Sequence, residues 1–223
     1  MDEPITDRTL TRADIEGLLA HPRHLIDCDL EDANLSGLEL TGWRFERCSL
    51  RRTDFARAKL ETSLWTSCRG AFADFTECDL ADAKFISCDF NNASLRRATL
   101  DSARIERCKL TGADLTEARA INLIFDETLL VNARLGGHSF RKARLERIDF
   151  SQADLGKCDF RHATFIGCSL RDAHVQGARF DGADLRGADL GGLKLADARL
   201  FRGATISSEQ AGQLLGELGL NVR

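Results

Sequence analysis

Cysteine thiols are the side chains of this sequence that most readily suggest chemistry, because eight of them could bind a metal or form disulfides. None of the eight falls in the CxxC spacing of zinc sites. They follow a five-residue period instead, and six are separated by multiples of twenty residues: Cys28, Cys48, Cys68, Cys88, Cys108 and Cys168. Cysteine alternates with alanine at this position, as a small buried apolar residue does. The spacing therefore predicts packed thiols that hold no metal and no cofactor.

Histidine chemistry is equally hard to assemble from this sequence. None of the five histidines is paired with cysteine or a carboxylate at ligand spacing, and no HExxH, phosphate-loop, GxGxxG or GxSxG motif occurs. His138 falls at a small, inward position of the period, where a hydrogen-bonded core histidine or a local distortion is favoured over a catalytic base. We therefore predict no catalytic, cofactor-binding or metal-binding residues, and a protein that is not an enzyme.

The elements that position these side chains are set by an internal repeat of five residues. From Leu25 to Leu200, 34 of 36 successive fifth positions are Leu, Phe, Ile, Val or Trp, and the exceptions are Gly70 and Ala120. Two residues before these centres, 29 of 35 positions are Ala, Cys, Ser or Thr. A period of five fits neither a helix nor a strand, so the chain must turn every five residues. Four such sides make one square coil of twenty residues, with the large and small residues inside.

Units such as Ala113-Asp114-Leu115-Thr116-Glu117 and Ala183-Asp184-Leu185-Arg186-Gly187 resemble the A(D/N)LXX motif of pentapeptide-repeat proteins. This resemblance covers roughly residues 23–202. It implies an all-β solenoid, a right-handed quadrilateral β-helix, and 36 centres at four per coil give about nine coils.

Both ends of the predicted solenoid carry helical patterns that could cover its open edges. Thr11-Arg12-Ala13-Asp14 is a capping-box pattern, and Ser207 precedes apolar residues at helical spacing, with Gly216 and Gly219 able to end that helix. The predicted organisation is a single chain domain in three segments: a capping segment 1–22, the β-helix 23–202, and a C-terminal capping and dimerisation helix 203–223.

Carboxylates recur just before the apolar centres on the wall that contains Leu35. The candidate partner-binding acids are Asp54, Asp74, Glu77, Asp114, Glu117 and Asp154. They could imitate a row of phosphates, or the aspartates could hydrogen-bond their own turns, which we favour because any pentad coil needs such turns. Arg96, Arg97, Arg134 and Lys157 interrupt the row.

Apolar residues at outward positions form the second candidate surface. Ile121, Ile124, Leu129 and Val131 indicate either a binding patch or a locally shifted coil. Phe72 is either an exposed anchor or a ring that folds inward to fill the space left by Gly70.

Family resemblance leads to two functional hypotheses. The quinolone-resistance and gyrase-binding members imply a DNA mimic that binds type II topoisomerase (DNA gyrase or topoisomerase IV), gives resistance or immunity to topoisomerase poisons, and dimerises through its C-terminal end. The corresponding dimer residues here are Ala211, Leu214, Leu215 and Leu218. The alternative is a general protein-interaction scaffold without mimicry.

Charge and hydropathy place further limits on the partner. The net charge is −4, and residues 1–50 hold 11 acidic and 5 basic residues. No apolar run is long enough to cross a bilayer, and the first residues lack the pattern of a secretory signal. We expect a cytoplasmic protein with a protein partner, no direct nucleic-acid contact and no membrane contact.

Overall fold

The computed structural model describes residues 3–193, 198–217 and 219–221. The chain divides into two compact units, residues 1–128 and 129–223. The sequence predicts one domain, because no Gly/Ser-rich or Pro-rich linker separates two parts. The division after residue 128 falls within the five-residue repeat and not at a linker.

The first unit is a parallel β-solenoid in which each short strand pairs with the strand one coil later. The pairing keeps a constant offset of twenty residues, so Leu25 lies beside Phe45 and Phe45 beside Trp65. The elements of this unit are β1 (Ile5–Thr6), α1 (Arg12–Glu16), β2 (His24–Ile26), β3 (Arg44–Glu46), β4 (Leu64–Thr66), β5 (Lys84–Ile86), β6 (Arg104–Glu106) and β7 (Ile124–Asp126).

The second unit is also a parallel β-solenoid. Leu145 lies beside Phe165 in register, whereas the next pair of strands contains register shifts after Asp184. Its elements are β8 (Arg144–Glu146), β9 (Thr164–Ser169), β10 (Asp184–Asp189), a 3-10 helix (Ala198–Phe201) and α2 (Ser208–Glu217). In the described residues, one coil for each strand from β2 to β10 gives six coils in the first unit and three in the second. The predicted number of about nine coils is confirmed.

Tight turns explain how a period of five becomes a coil. The N–H of the residue three positions after a centre donates to the carbonyl of that centre, as between Ala58 and Phe55 (N···O 2.9 Å). The residue two positions after the centre has a positive φ, for example +59° at Arg57 and +70° at Gly37. These are the features of a type II turn, which redirects the chain at corners such as those after Leu35 and Phe55.

The large centres and the small residues fill the interior, as the sequence predicts. Phe45, Trp65 and Phe85 stack with neighbouring ring centroids 4.0 and 5.6 Å apart. A second stack, in the second unit, runs through Phe140, Phe160, Phe180 and Phe201, with centroids 4.7–5.0 Å apart. All eight cysteines are buried and free, which agrees with their prediction as packing residues.

The predicted frame is wrong at its last coil. The count places Leu200 inside, and it includes no helix before residue 202. The 3-10 helix interrupts this segment, and Phe201 stacks on Phe180 in place of Leu200. One residue is therefore inserted, and the Leu185 N–H bonds the carbonyl of Thr205, so pairing continues beyond residue 202.

Both predicted terminal helices are confirmed. Thr11 is the N-cap of α1, and a reciprocal capping box joins it to Asp14. At the other end, Ser207 accepts from the Gln210 N–H (3.1 Å), and Gly219 adopts a φ of +83° just after α2.

Candidate protein-binding surface

Aspartates of the predicted acidic row support the turns of their own coils. In the first unit, Oδ1 of Asp54, Asp74 and Asp114 accepts the N–H two residues later at 2.8, 2.8 and 3.0 Å. In the second unit, Asp154 accepts from the Gly156 N–H at 2.9 Å. These are Asx turns, the local role that the sequence favours for these residues.

Basic side chains neutralise part of this row. Arg97 bonds Glu77 (2.7 Å), and Arg96 lies 3.5 Å from Asp114. Glu117 is exposed at the corner two residues after Leu115. Similar pairs join successive coils elsewhere in the first unit, at Arg47 with Asp27 and at Arg52 with Asp32. The surface potential of the row is therefore of mixed sign.

A different wall of the first unit carries the larger excess of acid. It consists of outward residues beside the centres Leu40, Leu60, Leu80, Leu100 and Ala120, and we call it the acidic wall. Five carboxylates face two basic residues there, a net charge of −3: Glu39, Glu61, Asp79, Asp82 and Asp101 with Lys59 and Arg119. Counting by twenty along this wall in the sequence would have found it.

The equivalent positions of the second unit have the opposite sign, and we call them the basic wall. Five basic residues face two carboxylates, a net charge of +3: Arg141, Lys142, Arg161, Arg179 and Arg202 with Asp159 and Asp181. Arg202 belongs to this set because Phe201 is the centre of the shifted last coil, and the Arg202 carbonyl accepts from the Gly182 N–H (3.0 Å). The Arg161 guanidinium bonds both oxygens of Asp159 and holds the pKa of that carboxyl below its usual value.

Phe72 is an exposed ring, which decides between its two predicted arrangements. Its side chain is 53% exposed, and its φ is +64°. It has no space to fold into, because a Cβ at Gly70 would lie 2.1 Å from the ring of Phe90. The inward aromatic at this defect is thus Phe90, from the next coil, and Phe72 is a candidate anchor.

Ile121 and Ile124 lie on a coil that keeps its register. The Ile124 N–H bonds the carbonyl of Ala103 (3.0 Å), and Ile105 remains beside Phe125. The two isoleucines are 60% and 40% exposed. The coil therefore keeps its register at Ile124, and the turn before it is loose, with the Leu123 N–H 3.5 Å from the Ala120 carbonyl.

In the second unit, Leu129 and Val131 flank the buried centre Leu130. Leu129 is 39% exposed and Val131 is half-buried. The Leu130 N–H bonds the carbonyl of Asp149 (2.8 Å), so this segment also keeps the frame of its coil.

The C-terminal helix directs part of its predicted dimer face toward its own unit. Leu214 is buried, Ala211 is half-buried, Leu215 is exposed, and Leu218 lies outside the described residues. The sequence did not single out Gln210, whose buried side-chain amide donates to the carbonyls of Leu185 and Ala188 at 2.7 Å each. Leu214 is thus a residue of the cap and not of a free surface.

One small cavity lies in the described interior of the first unit. A cavity of about 10 Å³, lined by apolar atoms of residues such as Phe90, Ile105 and Leu110, could hold one water molecule at most. Within residues 3–193, 198–217 and 219–221, no group of His, Cys, Asp and Glu is arranged to hold a metal ion. His138 is buried beside Phe140, with ring centroids 6.5 Å apart.

No helix in the described part of the chain has the length and apolar character to span a membrane.

A filled interior, turns every five residues and outward polar side chains define a solenoid repeat protein. A model of the pentapeptide repeat region matches residues 21–85, and a model of pentapeptide repeats in eight copies matches 73–112, 108–147, 143–180 and 165–200. The chain belongs to the pentapeptide-repeat family.

Solved structures share this fold. Full-length QnrB1, a plasmid-mediated fluoroquinolone resistance protein, is 20% identical over 97% of both chains, with a TM-score of 0.60. HetL, involved in heterocyst differentiation regulation in the cyanobacterium Nostoc sp. strain PCC 7120, is 22% identical over 87% of this chain and 94% of its own, with a TM-score of 0.58. No curated protein matches the sequence.

Proposed function

We propose that this chain is a non-catalytic protein-binding module that acts through its outer walls. The observation that carries the proposal is the filled interior: the repeat buries its large side chains, and the cavity of about 10 Å³ is too small for a substrate. Side chains able to contact another molecule are those on the walls and corners of the coils.

The surface supports a general interaction scaffold best. Exposed apolar side chains at Phe72, Ile121 and Ile124 lie on segments whose backbone bonds keep the twenty-residue register, which fixes their positions before a partner arrives. Pairing of carboxylates with arginines on neighbouring coils gives alternating signs of charge. A surface of alternating charge suits specific protein contacts better than a surface with a long uniform potential does.

An affinity experiment tests this scaffold function. Tagged wild-type protein and the double variant Ile121→Asp/Ile124→Asp are compared quantitatively for the proteins that they retain from lysate, with Asn122→Asp as a control for added negative charge on the same coil. We expect a defined protein to be retained by the wild type and the control and lost with the double variant. Equal retention by all three chains would contradict a role for these isoleucines.

A second candidate is DNA mimicry toward type II topoisomerase (DNA gyrase or topoisomerase IV), with resistance or immunity to its poisons. The supporting observations are the aspartates at one-coil spacing in the first unit and the shared fold of QnrB1, a fluoroquinolone resistance protein. Such a mimic competes for a basic DNA site through screened charge.

Gyrase supercoiling assays test this candidate. We expect weak inhibition that declines with salt if mimicry operates, and partial loss of inhibition in Glu77→Lys/Glu117→Lys. Supercoiling that stays unchanged at low salt and high molar excess, with and without a quinolone, would leave the scaffold function alone.

We also propose a homodimer through the C-terminal end, supported by the exposed side chains of Leu215 and Leu220. Since Leu214 is buried in its own unit, Leu215 is the residue to change. Light scattering should report a dimer for the wild type and a monomer for Leu215→Lys. A wild-type monomer at micromolar concentration would refute the proposal.

A further inference from the structure

Two walls of this protein carry opposite charge on the same repeat geometry. In the first unit the acidic wall has a net charge of −3, and in the second unit the basic wall has a net charge of +3. Both walls use the residues one before, one after and two after an apolar centre. The asymmetry extends to the whole units: residues 1–128 hold 24 acidic and 17 basic residues, and residues 129–223 hold 11 and 14.

Backbone pairing fixes the spacing of these charges. On the acidic wall, Lys59 bridges to Asp79 and Asp79 to Thr99; on the basic wall, Ser139 bridges to Asp159 and Asp159 to Arg179. Each step is one coil, about 4.8 Å along the solenoid. Charged positions on the two walls therefore recur at the same interval. A partner of unrelated fold has no structural reason to share this interval.

Several of the charges are already paired within their own wall. Lys59 lies 2.7 Å from Glu39, and Arg119 bonds Asp101. On the basic wall, Arg161 bonds Asp159 (2.5 Å) and Arg179 bonds Asp181 (3.2 Å).

Part of the excess charge lies at exposed corner residues. Asp82 and Lys142 are exposed corner residues with φ values of +57° and +60°, so they occupy equivalent positions with opposite sign. Glu61 and Arg141 form a second equivalent pair, one residue after their centres.

We propose that the acidic wall of one copy docks on the basic wall of a second copy, so that the protein self-associates through charge. A second copy is the partner that matches both the sign and the interval of these rows. The contact is reversible and dissolves as ionic strength rises, because exposed charges are screened over about 10 Å at 0.1 M salt. It differs from the apolar dimer contact at Leu215, whereas Ile121 of the scaffold surface lies on the same acidic wall beside Ala120 and is unchanged in the charge variants below.

Sedimentation velocity of the purified full chain tests the proposal at about 0.02 M and about 0.5 M salt, up to about 1 mM protein. We expect the weight-average mass to rise with protein concentration at low salt. At high salt the same protein concentrations should give a lower weight-average mass. An average mass that is independent of salt would overturn the proposal.

Charge reversal identifies the walls. Glu61→Arg/Asp82→Lys gives a chain with two positive walls, and Arg141→Glu/Lys142→Glu gives a chain with two negative walls. Each variant alone should lose association at least about tenfold, because like charges then face each other. Lys and Glu already occupy positive-φ corners of this protein at Lys157 and Glu117, so these corner changes suit the backbone.

Mixing the two variants is the decisive measurement. The equimolar mixture should recover salt-sensitive association, which a misfolded variant could not restore. A mixture that behaves as the sum of two non-associating chains would overturn the proposal, as would wild-type-like association of either variant alone. Tighter binding of the wild type to a nonspecific DNA duplex than to itself would also overturn it.

Discussion

The ring of Phe90 occupies the space that Gly70 leaves in the first unit. A Cβ added at Gly70 would lie 2.1 Å from Phe90, so Gly70→Ala should destabilise the fold by about 1–3 kcal/mol through overpacking. Chemical denaturation measures the change. Gly216→Ala is the matched control: a Cβ there has no atom within 4 Å, and the helix should gain slightly. Full recovery of Gly70→Ala by Phe90→Leu would support the assignment, and equal effects of the two alanine changes would contradict it.

Burial also controls the reactivity of the thiols. Desolvation raises the pKa of Cys158 to about 12 and raises that of Cys78, so little thiolate forms near neutral pH. We expect slow labelling of the native protein by a thiol reagent and eight reactive thiols after unfolding. Rapid native labelling of Cys48, Cys68 or Cys88 would contradict the packing of the cysteine positions.

Asp159 should titrate below the usual range of an aspartate because of its bonds with Arg161. Its folded pKa is lowered, so its contribution to stability is present above the unfolded pKa and is lost as pH falls through the folded pKa. In Arg161→Ala the pKa of Asp159 should move upward toward the ordinary value of an aspartate. Carboxyl NMR titration of both chains measures this, and an unchanged midpoint would rule out Arg161 as the main cause.

At the scale of elements, the attachment of α2 depends on one buried amide. Gln210 donates to two carbonyls of the last coil, so Gln210→Ala leaves buried acceptors without their donor and should cost about 1–3 kcal/mol. Hydrogen exchange should report faster opening of α2 and of residues near Leu185. Gln213→Ala is the control, since Gln213 is exposed and its bond to Glu217 is long at 3.5 Å. Equal exchange in the two variants would mean that Gln210 does not hold the helix.

Across the molecule, stability should depend on the centres and little on the outward row. Phe165→Ala should cost about 3–5 kcal/mol, because the flanking coils are held by backbone bonds and cannot close the cavity. Asp114→Ala removes one Asx turn bond and should cost far less. Urea denaturation of each variant gives the comparison. A larger loss for the aspartate would reverse the assignment of inside and outside.

Much of this protein follows from its sequence because every coil repeats one local solution. Each pentad specifies a buried centre, a small neighbour and a corner. The five-residue pattern alone therefore predicts that Leu25 and Phe45 point inward and that they lie beside each other. Capping patterns and helical spacing predict the terminal helices, whose capping residues Thr11 and Ser207 act on adjacent backbone. Local turn chemistry likewise explains Asp54 and Asp74 without knowledge of the partner.

Tertiary structure alone decided the features that depend on contacts between coils. Whether Phe72 or Phe90 fills the space at Gly70 depends on which ring can reach it, and the sequence gives no such distance. The inserted residue that brings Phe201 onto Phe180 is invisible to a five-residue count because Leu200 also fits that count. Pairing of acids with bases twenty residues away, as for Glu77 and Arg97, depends on side-chain reach and sets the sign of the surface. The buried bonds of Gln210 arise in the same way, since packing α2 on the last coil brings distant residues together.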